Sequence, residues 1–215
     1  MTKKIIAAAV LLSLFAIVGT GLVAFTYEMT KDQIAENERL ALLNSLQALV
    51  PAETVNNDMP NDTIIVDDKK TFGTHVTTIY RGRKDGDPVA AVFTSIAPDG
   101  YSGKIKLLVA VRVDGTLGGV RVIAHKETPG LGDKIEIEKD DWIFDFDNKS
   151  LGNPTIDKWA VKKDGGIFDE FTGATITPRA IVNSVKRTLI YASEHKEAIY
   201  DLDKETVAEK KEGNS

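Results

Sequence analysis

The hydrophobic pattern opens with an uncharged, largely apolar run of 21 residues from Ile5 to Phe25. A helix of that length spans about 31 Å, which matches a bilayer core of roughly 30 Å. The run is longer than the apolar core of a secretory signal peptide, and Val23-Ala24-Phe25 lacks the small-residue pattern of a cleavage site. The pattern therefore predicts an uncleaved transmembrane anchor, with residues 1–27 forming the N-terminus and the span.

A second helical pattern follows the anchor. Apolar residues recur on one face between Ile34 and Val50, and Pro51 ends the pattern. We expect a juxtamembrane helix over residues 28–50, with its last turn near Leu49. Residues 51–62 are polar, which is typical of a loop.

Five segments rich in β-branched residues come next, with no helical pattern between them. They are Thr63–Val66, Val76–Arg81, Val89–Ile96, Ile105–Val113 and Gly119–His125. Asp114-Gly115 is typical of a hairpin turn, and Asp99–Gly103 of a turn joining two strands. Consecutive strands indicate an antiparallel sheet. The predicted fold class is therefore α+β: a transmembrane helix and a juxtamembrane helix, then an antiparallel sheet packed with helices.

A final helix is predicted from Thr177, as N-cap, with Pro178 in the first helical position. Its apolar residues recur on one face, which we expect to pack against the sheet. They are Val182, Val185, Leu189 and Ala192. Ala160-Val161 is a further candidate for a short strand. Residues 51–202 are predicted to form one domain, and residues 203–215, rich in Lys and Glu, a polar tail.

Composition narrows the possible chemistry. The chain has no cysteine and three histidines, which excludes disulfides and iron–sulfur ligation and disfavours a histidine-rich metal site. Redox chemistry would therefore need an organic cofactor. The net charge of −5 argues against nucleic-acid binding. The carboxylates Asp140, Asp141, Asp145 and Asp147 lack the spacing of a calcium loop, so we expect a solvated face.

Charges around the anchor predict its orientation. Lys3 and Lys4 precede the span, whereas the first charge after it is Glu28. This bias places the N-terminus in the cytoplasm and the main domain on the other side of the membrane.

The first cluster that could carry chemistry is Thr172-Gly173-Ala174-Thr175, with Asp169 upstream. It lies just before a predicted helix start, where free N–H groups and the helix dipole favour a phosphate. Thr175 could therefore carry a phosphate-bearing group covalently. A tight turn that only leads into the helix explains the same residues.

Two further clusters follow predicted strands. Glu127-Thr128-Pro129-Gly130-Leu131-Gly132 has a good turn sequence, and its glycines would also allow a flat ring to approach closely. Gly100-Tyr101-Ser102-Gly103 joins two strands and exposes a tyrosine. His125, beside the second cluster, is either a surface residue or a proton partner.

The order of these features resembles the FMN-binding domain of the G subunit of the Rnf (also called Rsx) electron transport complex. The similarity covers nearly the whole chain and is closest over residues 125–135, 159–166 and 171–186. The C subunit of the sodium-pumping NADH:quinone reductase has the same domain type and remains an alternative. A flavin-free periplasmic binding or regulatory module is the alternative from another class.

The resemblance implies a covalent flavin. FMN would be joined through its phosphate to Thr175 by a flavin transferase that uses FAD and recognises Asp169 with the Thr172–Thr175 motif. The Glu127–Gly132 loop would line the isoalloxazine ring. The candidate cofactor-binding residues are Thr172, Gly173, Ala174, Thr175, Ile176, Thr177, Glu127, Thr128, Pro129, Gly130, Leu131 and Gly132.

The resemblance also implies partners and a location. The chain would carry electrons within a multi-subunit complex that couples electron transfer between ferredoxin and NAD to ion movement. It would cross the bacterial inner membrane once, with its main domain in the periplasm.

Overall fold

A computed structural model describes residues 2–200, so the predicted tail at residues 203–215 lies outside the described residues. The first element, α1 (Thr2–Gln47), is one continuous helix of 46 residues. It runs without a break past the predicted boundary at residues 27 and 28. Among residues 2–200 it is the only helix long and apolar enough to cross a membrane. Its large hydrophobic side chains from Ile5 to Tyr27 are exposed, as lipid-facing residues would be.

The chain divides into one unit up to Leu43 and a second, compact unit from Asn44 onward. The compact unit contains a five-stranded sheet in which sequential strands are neighbours and every pairing is antiparallel. The strands are β1 (Thr63–Val66), β2 (Thr77–Lys84), β3 (Asp87–Gly100), β4 (Gly103–Arg112) and β5 (Leu117–Ala124). The predicted antiparallel sheet is confirmed, and β3 is longer at both ends than the predicted strand.

Both faces of this sheet are covered, which explains the nearly continuous burial along β4. Alternate residues such as Phe93 and Val109 face the main core. Leu108, which alternates with these residues along β4, is also buried, as are Leu49 and Val50 in the segment that follows α1. Leu49 of that segment lies against β5, where a Cβ at Gly119 would be 3.0 Å from the Leu49 side chain.

Three helices complete the compact unit: α2 (Lys69–Phe72), α3 (Ile176–Glu194) and α4 (Lys196–Tyr200). α3 packs on β3 and β4. The four apolar residues predicted to face the sheet are all buried: Val182, Val185, Leu189 and Ala192. The pattern did not predict α2 or α4, because four or five residues are too few to show a helical period.

Residues 125–175 are mostly irregular, with four short 3₁₀ helices at 133–135, 141–146, 156–158 and 162–164. The core of this irregular segment is a cluster of aromatic side chains. Phe146 stacks on Phe168 with ring centroids 4.6 Å apart, and Trp142 meets Phe146 edge-on at 5.3 Å. The short strand proposed at Ala160-Val161 is wrong, because only Val161 pairs, in a single bridge to Phe168.

The acidic segment beside this cluster is only partly a solvated face. Asp141 and Asp145 are exposed, as expected. Asp147 is half-buried, and one of its carboxylate oxygens is enclosed with no hydrogen-bond partner among residues 2–200. Burial raises the pKa of Asp147, while Arg121 and Arg112 pull it in the opposite direction.

Candidate cofactor site

Two turns of the same type lie beside the predicted site. The N–H of Leu131 donates to the Thr128 carbonyl at 3.1 Å, and Gly130 between them has φ +78°. The N–H of Ala174 donates to the Phe171 carbonyl at 2.9 Å across Gly173. Gly173 has φ +81°. A positive φ at the third residue is the requirement of a type II turn, which is why glycine stands there in both.

These turns enclose a cleft of about 460 Å³ together with the connection between β3 and β4. Its lining brings together all three clusters that the sequence singled out. The lining residues are Tyr101, Glu127, Thr128, Leu131, Gly132, Gly173, Ala174, Thr175, Ile176 and Thr177. The size falls within the roughly 300–1,000 Å³ of small-molecule sites.

The prediction that Thr177 caps the last helix is wrong. α3 begins at Ile176, and Thr175 occupies the N-cap position with φ −78° and ψ −29°. Pro178 is therefore the third helical residue. The local rule misplaced the start because proline is tolerated throughout the first turn, whose N–H groups have no intrahelical acceptor.

The hydroxyl of Thr177 has a different partner. It donates to Oε2 of Glu127 at 2.5 Å, and the Thr177 side chain is fully buried. The other carboxylate oxygen of Glu127 accepts the N–H of Ser102 at 3.0 Å. Glu127 thus joins the three segments that form the cleft. The sequence showed Glu127 only as part of a loop.

Thr175 stands at the cleft with its side chain unengaged. It makes no capping hydrogen bond, and within residues 2–200 its hydroxyl has no hydrogen-bond partner. It is half-buried, so the hydroxyl is accessible from the cleft. Arg179, one turn further along α3, is held by Asp164 through contacts of 2.5 and 2.9 Å. This pairing lowers the pKa of Asp164 and raises the pKa of Arg179.

Some predicted residues lie away from the cleft. Thr172 and Asp169 line a neighbouring acidic groove that also includes Asp140, Asp141 and Asp145. The Asp169 carboxylate is paired with Lys162 at 2.5 Å. Pro129 and Gly130 are exposed and do not line the cleft.

His125 binds the Glu127–Gly132 loop from outside the cleft. Its Nδ1 accepts the N–H of Glu127 at 3.0 Å, so its Nε2 carries the proton and faces Oε1 of Glu136 at 2.6 Å. His125 is not among the cleft-lining residues. Across residues 2–200, no group of three or more His, Asp or Glu side chains is arranged to hold a metal ion.

The cleft fits a flavin mononucleotide by its size and by its chemistry. Leu131, Ala174 and Ile176 supply apolar surface, and Gly132 and Gly173 supply backbone without side chains. The free Thr175 hydroxyl lies next to the N-terminus of a 19-residue helix, where a phosphate is favoured.

Comparison with known proteins supports this assignment. Residues 100–190 match the family described as FMN-binding domain, and residues 1–49 match the family described as RnfG N-terminal region. The chain is 49% identical over 205 residues to the G subunit of the ion-translocating oxidoreductase complex of Pseudoalteromonas atlantica, covering 94% of this chain and 95% of that protein. Identity to the protein of the same name from Shewanella amazonensis is 47%, covering 90% of each chain. For the Aliivibrio fischeri protein of that name it is 45%, covering 90% of this chain and 93% of that protein. The chain therefore belongs to the family of G subunits of ion-translocating oxidoreductase complexes.

Proposed function

We propose that this chain is the electron-carrying subunit of an ion-translocating oxidoreductase complex, with FMN attached through its phosphate to Thr175. One observation carries the attachment site: Thr175 lines the cleft at the start of α3 with a hydroxyl that the fold does not use. Thr177, the other threonine at this helix start, has its hydroxyl committed to Glu127. The resemblance to covalent flavoproteins of this domain type supports the same residue.

The local electrostatics suit a phosphodiester at Thr175. The first N–H groups of α3 have no intrahelical acceptor and carry the positive end of the helix dipole. That environment stabilises a nearby negative charge by about 0.3–1 kcal/mol. The Arg179 guanidinium adds little, because Asp164 already neutralises it.

The attachment step balances with FAD as donor. The Thr175 oxygen would form a bond to the phosphorus of the FMN half, the pyrophosphate bond would break, AMP would leave, and the hydroxyl proton would pass to solvent or base. A flavin transferase would supply this chemistry. Its recognition motif includes Asp169 and Thr172, which lie exposed at the acidic groove and are therefore accessible to an enzyme.

FMN, when bound, supplies the uptake and release of electrons, and the protein supplies position and environment. Leu131 and Ile176 offer apolar contact for the ring, and Tyr101 stands exposed at the edge of the cleft. Covalent attachment would keep the flavin on a domain that works outside the cytoplasm. Electrons would pass between this flavin and other subunits of a complex that links ferredoxin and NAD to ion movement.

We infer that the chain crosses the bacterial inner membrane once. Lys3 and Lys4 favour a cytoplasmic N-terminus, which would put the FMN-binding domain in the periplasm.

Intact-protein mass spectrometry of Thr175→Ala, produced together with its flavin transferase, tests the attachment site. The wild-type chain should gain the mass of one FMN less one water, and Thr175→Ala should not. Thr128→Ala is the matched control, because it removes another threonine hydroxyl from the same cleft and should keep the added mass. Covalent flavin on Thr175→Ala would refute the assignment.

The C subunit of the NADH:quinone reductase is the nearest alternative. The match of residues 1–49 to the RnfG N-terminal region and the names of the relatives favour the Rnf protein. Purification of the intact complex and identification of its subunits distinguishes the two. A flavin-free module would give a band without flavin fluorescence after denaturation.

A further inference from the structure

One wall of the cleft carries a buried acid. Glu127 is 4% exposed. Its two oxygens accept the Thr177 hydroxyl and the Ser102 N–H. Within the described part of the chain, no Lys, Arg or His side chain forms an ion pair with it.

The surrounding backbone is shaped to accept this carboxylate. A Cβ on Gly132 would lie 2.9 Å from Oε2 of Glu127, and a Cβ on Gly100 would lie 2.9 Å from Oε1. Both distances are shorter than real Cβ contacts. Glycine at both positions therefore leaves room for the acid in one orientation, and the two hydrogen bonds prevent it from turning into solvent.

A buried charge without a partner is costly for folding. Neither hydrogen bond brings a full positive charge, so the carboxylate keeps a negative field in the cleft that it lines. The neighbouring side chains Leu131 and Ile176 are apolar and do not screen it. Burial of the Glu127 charge therefore costs free energy of folding, and the same side chain lies beside the proposed cofactor.

We propose that Glu127 sets the reduction potential of the flavin held in this cleft. The inference rests on the proposed function. A fixed negative charge disfavours the addition of electrons to a neutral ring, so Glu127 lowers the potential. Thr177 and Ser102 act as positioning residues that keep the carboxylate facing the cleft.

The test is a spectroelectrochemical titration of the full-length protein carrying its flavin, with electrons supplied by an electrode. Glu127→Gln keeps the size of the side chain and an oxygen that can accept the Ser102 N–H. The equilibrium constant for reduction should rise at least tenfold, which is about 30 mV for a two-electron couple. Glu138→Gln is the matched control, since it removes an exposed carboxylate outside the cleft and should leave the midpoint unchanged.

Thr177→Val separates the electrostatic role from a purely structural one. It removes a hydrogen-bond donor but keeps the carboxylate, so its midpoint should stay at or below that of the wild type. Thermal unfolding of the flavin-free proteins should show that Thr177→Val loses stability, because it removes the hydroxyl that donates to Glu127. If loss of the hydrogen bond between Thr177 and Glu127 were enough to change the potential, the midpoint potentials of both variants would move in the same direction. That result would overturn the proposal.

The remaining outcomes are also decisive. An unchanged midpoint in Glu127→Gln with flavin attached overturns the role of Glu127 and leaves the proposed function intact. A wild-type protein without flavin overturns the proposed function itself. If Glu127→Gln does not fold, a midpoint of Thr177→Val above the wild-type value refutes the proposal, and one at or below it supports it.

Discussion

A buried pair of serines holds α3 to the sheet, and we expect losing one of them to destabilise the protein more than losing both. Ser95 on β3 and Ser184 on α3 are fully buried, and their hydroxyl oxygens lie 2.9 Å apart. This hydrogen bond joins β3 to α3, the helix that begins directly after Thr175. It therefore bears on the geometry of the cleft as well as on stability.

The expected magnitude follows from desolvation. Ser184→Ala leaves the Ser95 hydroxyl buried without its partner, which costs about 1–3 kcal/mol. Ser95→Ala leaves Ser184 in the same state. Substituting both replaces two hydroxyls by apolar groups of similar shape, and the double variant should lie within about 1 kcal/mol of the wild type. For a domain of this size each kcal/mol corresponds to roughly 2–4 °C in Tm.

Urea unfolding of the wild type, the two single variants and the double variant gives the four free energies of unfolding that this comparison needs. The chain has two tryptophans, Trp142 and Trp159, and both lie in the compact unit with α3, so their fluorescence reports on its unfolding. Ser193→Ala on the exposed side of the same helix is the control and should change stability by less than about 0.5 kcal/mol. A double variant whose destabilisation equals the sum of the two single ones would refute the reasoning.

Two further substitutions test the cleft and the acidic segment. Gly132→Ala should lower stability by about 1–3 kcal/mol in urea unfolding. Its φ of −89° suits any residue, so the cost comes from a Cβ 2.9 Å from Glu127 and 3.1 Å from the Thr177 hydroxyl. Gly152→Ala, whose Cβ would meet only one atom at 3.9 Å, is the control and should be nearly neutral. Asp147→Asn should raise Tm at neutral pH. Burial raises the folded-state pKa of Asp147 above its ordinary value of 3.8, so ionisation lowers stability as pH rises through the folded pKa. The gain should vanish below pH 3.8, where wild-type Asp147 is protonated in both states. A lower Tm for Asp147→Asn at neutral pH would instead show that attraction to the neighbouring arginines outweighs burial.

Much of the fold could be predicted because its signals are local. An uncharged run of 21 residues, five β-branched segments and the apolar face of α3 each depend on residues close together in the chain. Hairpin connections then leave few arrangements for consecutive strands, so the antiparallel order followed from the strands themselves. The aromatic core under residues 125–175 did not follow, because irregular segments have no period to detect.

The start of α3 shows where a local rule fails. Thr177 followed by Pro178 satisfies the pattern for an N-cap and first helical residue. In the tertiary structure the Thr177 hydroxyl instead donates to the carboxylate of Glu127, 50 residues earlier in the chain. The helix then begins at Ile176, and Thr175 is left with an unused hydroxyl.

The sequence by itself determined the membrane anchor, the order of the strands and the residues that could carry a flavin. Only the tertiary structure decided which of these residues share a cleft. Thr175 lines the cleft, whereas Thr172 lies in the neighbouring groove and His125 does not line the cleft. Glu127 is buried between segments that are far apart in the chain. The physical reason is that periodicity and turn chemistry act between near neighbours, whereas burial of a charge depends on every segment that packs around it.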